Sequence, residues 1–444
     1  MQSLWKNREE YLQEAQKCLR FSSSVIITDH LYFRQIFIDT LIYNTVFGDD
    51  ENLKQEFSSL ILSLSQEHCP PSSHKNLYQS ISKLNYKKFS SAALNIRTLT
   101  FETAFTIFQL MEKHHIGAVI FEIARSEMEY TDQRPQEFAS SILAGALKAD
   151  YKGPVFLQGD HFQVSMSHFI QDSSAEMKRI ENLISEAIDA HFLNIDIDAS
   201  TLVDLSKQSI IDQQKMNSHV TAQLTKFIRA HENSANNISI GGEIGHIGDK
   251  NSSVEDFETF MSLYLKEIPQ NGLSKVSVQT GSSHGGKVKA DGSLEKMNID
   301  FSILENIGGL AQKKYGLAGA VQHGASTLEL SDFQKFPKHN TVEVHLATGL
   351  QNIFFESLPD DLKKEVDSYV LKTVEKKDDT LTAEQFLYKN RKFAFGPFKQ
   401  VFWDMTQPEK AKYFSSLENY LEPLLLALNL ENTIDITNEL THKT

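Results

Sequence analysis

Apolar positions in the first 88 residues recur at helical spacing. Leu4, Tyr11, Ala15 and Cys18 share one stripe, which Trp5, Leu12 and Leu19 widen. Ile36–Phe47 and Asn52–Leu64 are two further apolar stretches, separated by the breaker Gly48-Asp49-Asp50. The run Cys69-Pro70-Pro71-Ser72-Ser73 reads as a loop or linker. No chemical motif stands out here, so packing, a lid or an oligomer contact is the expected role. From residue 89 the pattern changes to short apolar strands alternating with amphipathic helices. Strands are expected at Ser91–Ile96, Gly117–Ile123, Val155–Gln158, Leu193–Ile197, Ile238–Glu243, Lys275–Thr280, Gly319–Gln322 and Thr341–Leu346. Helices are expected at Phe101–His114, Pro135–Ala149, Ala175–Ala190, Ile210–Glu232, Val254–Ile268 and Phe301–Tyr315. This alternation predicts an α/β fold, a (β/α)8 TIM barrel over residues 89–355. An open doubly wound sheet would need a glycine-rich phosphate turn near its first strand, and the sequence has none there. Residues 1–88 and 356–444 then form helical extensions, the second including Leu417–Leu428, with an interruption expected at Pro423.

Composition narrows the class. With 444 residues the chain exceeds a usual single core, which fits a barrel with additions. A formal net charge of -14 argues against nucleic acid as the main partner. The only cysteines, Cys18 and Cys69, have no CxxC spacing, which suits a reducing, cytoplasmic setting. The polar N-terminus lacks an apolar signal core, and no apolar run is long enough to span a membrane.

The chemistry collects at the ends of the expected strands. The third, VFLQGDHFQ, reaches Gly159-Asp160-His161, where Gly is expected to break the strand. An adjacent Asp and His could hold a proton and a metal; equally, Asp160 could cap the next segment and His161 make a local bond. The fourth strand ends in Asp196-Ile197-Asp198-Ala199-Ser200 and the fifth in Gly242-Glu243-Ile244-Gly245. The sixth runs into Ser283-His284-Gly285-Gly286 and the seventh into Gln322-His323-Gly324-Ala325-Ser326. In a barrel these ends form one face. His161, His284 and His323 would meet there and supply the three ligands that a catalytic Zn²⁺ takes, leaving a position open. His114, His115, His168, His191 and His231 lie in or beside helices and are expected to be surface or packing residues. Small residues in the two His-Gly loops would let backbone amides approach an anion, and Thr348 could add a hydroxyl.

Together these segments resemble the class II, zinc-dependent ketose-bisphosphate aldolases of the fructose and tagatose type. Gly159-Asp160-His161 resembles their Asp-His pair, and Ile195–Ser200 their strand ending in Asp-x-Ser. GEIGHIG at Gly242–Gly248 resembles their Glu-Leu-Gly-x-x-Gly segment. Ser283-His284-Gly285 and Gln322–Ser326 resemble their two His-Gly loops. EVHLATGLQN at Glu343–Asn352 resembles their last strand, Lys-Val-Asn-Ile-Ala-Thr-Glu-Leu. The order holds from about residue 90 to 355.

The resemblance implies a (β/α)8 barrel, usually dimeric or larger, acting on a sugar phosphate. His161, His284 and His323 would bind zinc, and Asp160 would move the proton at the hydroxyl of the carbon where the bond breaks. Asp198 and Glu243 would hold a second or alternative metal position. Gly285, Ser326 and Thr348 would match the phosphate pocket, with Gly324 beside them. Two departures bear on the substrate. The family commonly has Glu-Asp in the loop after the fifth strand, whose Glu returns a proton to the enediolate; here the loop reads Asp249-Lys250-Asn251-Ser252, and Asn cannot deliver a proton. His345 stands where the family has an Asn touching substrate. Three functions follow: a zinc aldolase, a sugar epimerase using the same chemistry with His345 as a second proton carrier, or a non-catalytic sugar- or metal-binding protein.

Overall fold

The alternation of strand and helix closes on itself. In a computed structural model describing residues 3–81, 83, 88–232, 237–245, 250–281, 289, 298–375 and 380–441, eight parallel strands form a closed barrel. They are β1 (Ser91–Asn95), β2 (Val119–Ala124), β3 (Phe156–Gln163), β4 (Asn194–Asp198), β5 (Ser239–Glu243), β6 (Lys275–Val278), β7 (Ala320–Gln322) and β8 (Thr341–Leu346). Each pairs with its sequence neighbour, and β8 pairs with β1 through Glu343 opposite Ser91. Helices cover the outer face, so the strands are buried on both sides and read as nearly unbroken apolar runs, as in VIFEIA of β2.

Local chemistry explains the helix limits. Pro135 opens Pro135–Ala149 at the first helical position, where its missing N–H costs nothing. Asp172 and Ser253 cap Ser173–Asp189 and Val254–Glu267 by accepting from Ala175 N and Asp256 N, and Gly316, at φ +69°, ends Phe301–Tyr315.

Four segments depart from expectation. β3 does not stop at Gln158; it continues to Gln163, with a register break against β4 between Gly159 and Phe162. Such a bulge re-aims side chains without ending the ladder. Gly159 is required because the Phe162 ring folds over it: a Cβ there would stand 2.4 Å from Phe162 Cζ. The C-terminal helix Gln407–Ala427 runs through Pro423 without a break. Buried Leu417, Leu421, Leu424 and Leu425 hold it, and this packing outweighs the one lost hydrogen bond.

The Cys69–Ser73 loop is the third departure, because it continues into a floor for the barrel. Pro71 bridges Val155 in parallel, with Val155 N donating to Pro70 O at 2.9 Å and Ser72 N to Val155 O at 2.9 Å. The helix Lys75–Ile81 follows. His74 N donates to Asn194 Oδ1 at 3.0 Å, and the Tyr78 hydroxyl donates to Glu343 inside the barrel. The residues before β1 also include a short hairpin, Leu19–Phe21 with Val25–Ile27, that their helical periodicity did not predict. Among the described residues no helix is long and apolar enough to cross a membrane.

The barrel interior is polar where branched aliphatics are usual. Glu122, Gln158, Asp196, Lys275 and Glu343 are all buried there. Lys275 Nζ lies 3.0 Å from Asp196 Oδ2 and 2.8 Å from Gln158 Oε1, and pairs with Glu343. Gly241 leaves room for this group: a Cβ there would meet Asp196 Oδ1 at 2.2 Å.

Candidate active site

The C-terminal strand ends frame a cavity of about 670 Å³. Asp160, His161, His323, Gly324, Ser326, His345 and Thr348 all line it. Asp198 and Glu243 are buried just beneath, at the ends of β4 and β5. His284 and Gly285 lie outside the described residues.

The bulge in β3 sets the centre. His161 has φ +41°, a left-handed conformation that a non-glycine residue adopts only when its surroundings impose it. Its Nδ1 lies 2.7 Å from Glu243 Oε1 and 3.0 Å from Asp198 Oδ2. Its Nε2 lies 3.2 Å from His323 Nδ1. His323 Nε2 in turn lies 3.0 Å from Ser277 Oγ. Each imidazole thus presents one nitrogen to the other and ties its second to a fixed oxygen. That is how metal-binding histidines are held, their far nitrogens oriented by carboxylates or other acceptors. Two nitrogens on one tetrahedral zinc, at ~2.05 Å each, would stand about 3.3 Å apart. Asp160 Oδ1 is buried without a hydrogen-bond partner, which adds an uncompensated acceptor beside the pair. Asp160, His161 and His323 each offer one donor atom within 4.8 Å of the others. The described residues therefore fit a divalent cation.

Asp160 Oδ2 accepts from Asn95 Nδ2 at 2.9 Å, and its Oδ1 lies 3.7 Å from His161 Nε2 and 3.5 Å from His345 Nδ1. It caps no helix, since the next one, Met166–Gln171, is capped by Ser165. Burial alone would raise the Asp160 carboxyl, but His161, His345 and His323 hold it well below the usual range. Burial would likewise lower His161; Asp160 and Glu243 instead push it well up. Glu243, buried beside Asp198, is pushed up to about 7. His345 lies between Glu122 Oε1 at 3.0 Å on Nδ1 and Glu343 Oε2 at 3.0 Å on Nε2. Those carboxylates overcome its burial and raise it well above the ordinary imidazole value.

At the other strands, Gly324 has φ +71°, and Ser326 Oγ accepts from Ala347 N at 3.2 Å. Thr348 opens the helix Thr348–Ser357, whose N-terminal amides face the cavity's side of the barrel. Several residues here had no signal in isolated motifs. Asn95 and Glu122 sit on β1 and β2, strands without a Gly-Asp or His ending. His168, expected at the surface, is exposed and also lines the cavity.

Comparisons with known proteins identify the family. The model of the family Fructose-bisphosphate aldolase class-II matches residues 75–414. Among solved structures, fructuronate-tagaturonate epimerase UxaE from Cohnella laeviribosi is similar at 11% identity, with 84% of this chain and 86% of that chain covered and a TM-score of 0.57. Fructose-bisphosphate aldolase from Campylobacter jejuni is similar at 16% identity, covering 81% of this chain and 96% of that chain, with a TM-score of 0.49. With a family match over most of its length and a closed parallel barrel, the chain belongs to the class-II fructose-bisphosphate aldolase family.

Proposed function

We propose that this chain is a zinc-dependent aldolase that cleaves or forms a carbon–carbon bond in a ketose phosphate. The observation that carries this reading is the 3.2 Å apposition of His161 Nε2 and His323 Nδ1, each tethered on its far side, beside a buried Asp160. His161, His323 and, by the family resemblance, His284 hold the ion, with Asp198 and Glu243 orienting His161 or offering an alternative position. When bound, zinc supplies Lewis acidity toward the ketose carbonyl and the charge left by cleavage.

The chain's own residues do the rest. Asp160, ionised and steadied by Asn95, accepts the proton of the hydroxyl on the carbon where the bond breaks. That carbon leaves as an aldehyde, and its bonding electrons stay with the ketone fragment as an enediolate. A proton must then reach that fragment. Asn251 cannot give one, whereas His345 lies 3.5 Å from Asp160, between Glu122 and Glu343, whose carboxylates favour its charged form. Ser326, Gly324 and Thr348, with Gly285, hold the phosphate at the mouth of the barrel.

A second reading, sugar epimerisation through the same intermediate, is favoured by this pairing of Asp160 with His345: two adjacent proton carriers suit a reaction that removes and returns a proton at one centre. Aldehyde release from a panel of ketose phosphates, followed alongside sugar isomers, separates the two. Metal analysis tests both. His161→Ala and His323→Ala are expected to lose most bound zinc while the barrel stays folded; full zinc in both variants would refute the site.

A further inference from the structure

Asn95, which steadies Asp160, carries a second carboxylate on the same nitrogen. Its Nδ2 lies 2.9 Å from Asp160 Oδ2 and 3.0 Å from Glu127 Oε2. An atom between two carboxylate oxygens must donate to both, so the amide nitrogen belongs there and the amide oxygen does not. Both N–H groups are then committed, and two acceptors fix the amide plane rather than one. Asn95, Glu127 and Asp160 are all buried. In such a setting an amide that turned would leave a buried carboxylate without its donor.

Glu127 stands one step back from the reacting atoms. It lies in the first turn of the helix Arg125–Thr131 after β2, whereas Asn95 closes β1 and Asp160 lies on β3. Four donors converge on its two oxygens. Arg97 Nε and Nη2 stand 2.7 and 2.6 Å from Oε1; Asn95 Nδ2 and Ala124 N stand 3.0 and 2.9 Å from Oε2. Arg97 is anchored in turn, its Nη1 donating to Gln351 Oε1 at 2.6 Å and its guanidinium lying 5.9 Å from the Tyr130 ring centroid. Accepting from Ala124 N also makes Glu127 a cap for its own helix. A cap needs one oxygen, and Gln serves there as Glu does. A carboxylate is needed only because both ends must accept. A glutamine turned toward Arg97 would offer its N–H groups to Asn95 and Ala124, which are donors themselves. The charge of Arg97 also offsets that of Glu127, so Asn95 gains an anchor without net negative charge added beside Asp160.

We propose that Glu127 is a positioning residue: backed by Arg97, it fixes the Asn95 amide so that Asp160 turns its open oxygen, Oδ1, toward the substrate hydroxyl. This rests on the reading of Asp160 as the base, and the test separates the two.

Wild type, Glu127→Gln, Asn95→Ala and the double variant are compared as zinc-loaded full chains. The probes are D-fructose 1-phosphate, D-fructose 1,6-bisphosphate and D-tagatose 1,6-bisphosphate, with cleavage followed by aldehyde release. Glu127→Gln is expected to lower kcat about tenfold, with KM within about twofold and zinc content unchanged. In the Asn95→Ala background the same substitution should change kcat by less than about twofold, because the residue through which it acts is gone. Glu127→Asp, drawn back by one methylene, keeps the charge for Arg97 and should lower kcat as well, which covers a glutamine variant that fails to fold. A substrate-free readout is the side-chain amide ¹H–¹⁵N spectrum. The Asn95 pair, identified by its absence from Asn95→Ala, should shift in Glu127→Gln. A cap alone predicts lower thermal stability with kcat unchanged. Wild-type kcat in either folded Glu127 variant, losses that add in the double variant, or an unshifted Asn95 pair overturns the positioning role and leaves Asp160 as the base. Near wild-type kcat in Asp160→Asn, or cleavage of no probe, overturns the reading beneath it as well.

Discussion

Asp160 carries most of the mechanism, and its surroundings separate catalysis from structure. Its Oδ2 is held by Asn95, and its Oδ1 is buried without a hydrogen-bond partner. An acceptor left open in a cavity is poised to receive a proton from something that enters. Asp160→Asn keeps the shape and cannot take that proton. The expected outcome is retained zinc, retained substrate binding and a cleavage rate lower by about 10²–10⁴, measured by single-turnover kinetics with metal analysis of the same sample. Near wild-type turnover would end this assignment. The Asp-His pair was legible in sequence because both residues are adjacent and flanked by glycine. Asn95 was not: one polar residue at a strand end carries no periodic signal, and its partner lies 65 positions away.

At the scale of elements, all eight strands and six barrel helices were legible from periodicity, since helices on both faces of a parallel sheet force the apolar runs that mark them. What periodicity could not reveal was the course of β3 past Gly159. A bulge is a matter of register with β4, and register lies in pairs of strands rather than in one. The floor was hidden for a similar reason. Cys69–Ser73 has loop composition, and only the closed barrel gives Pro71–Tyr78 an end to cover. His74 in that floor is buried between Tyr78 and Phe156, with ring centroids 4.0 and 5.9 Å away, and burial depresses it to about 3 from 6.5. The unfolded chain therefore binds a proton between those values that the folded chain does not. Stability from neutral His74 is complete above about pH 6.5 and lost progressively as pH falls toward 3. Urea unfolding of wild type and His74→Gln between pH 4 and 7 should show a shallower acid loss in the variant, by a few kcal/mol at most. Parallel curves would show that His74 is not held neutral in the native state.

The whole molecule places its charge in an unusual location. A barrel interior filled with aliphatics would be simpler to stabilise, yet here Glu122, Asp196, Glu343, Lys275 and His345 run as one buried group from the floor toward the site. The family segment resembled by EVHLATGLQN opens with Lys, where this chain has Glu343, and the buried cation is supplied from β6 instead. Glu343 joins Glu122 in flanking His345, which stands where the resembled segment has Asn. The polar interior was not legible from the strand pattern, because each strand contributes only one or two of these residues and they become a network only when the sheet closes. Lys275 is the group on which the network depends, since it faces Asp196, Gln158 and Glu343 together. Lys275→Met should destabilise the fold by about 3–5 kcal/mol, because it leaves buried carboxylates uncompensated. Simple loss of packing is a poor explanation for such a cost, as Met fills most of the lysine stem's volume. The discriminating comparison adds Asp196→Asn and Glu343→Gln to Lys275→Met. Removing all three charges should recover much of the lost stability in chemical denaturation, since Asp196 and Glu343 are then no longer left as buried carboxylates without their cation. If the triple variant is as unstable as the sum of its parts, the network contributes shape rather than charge balance.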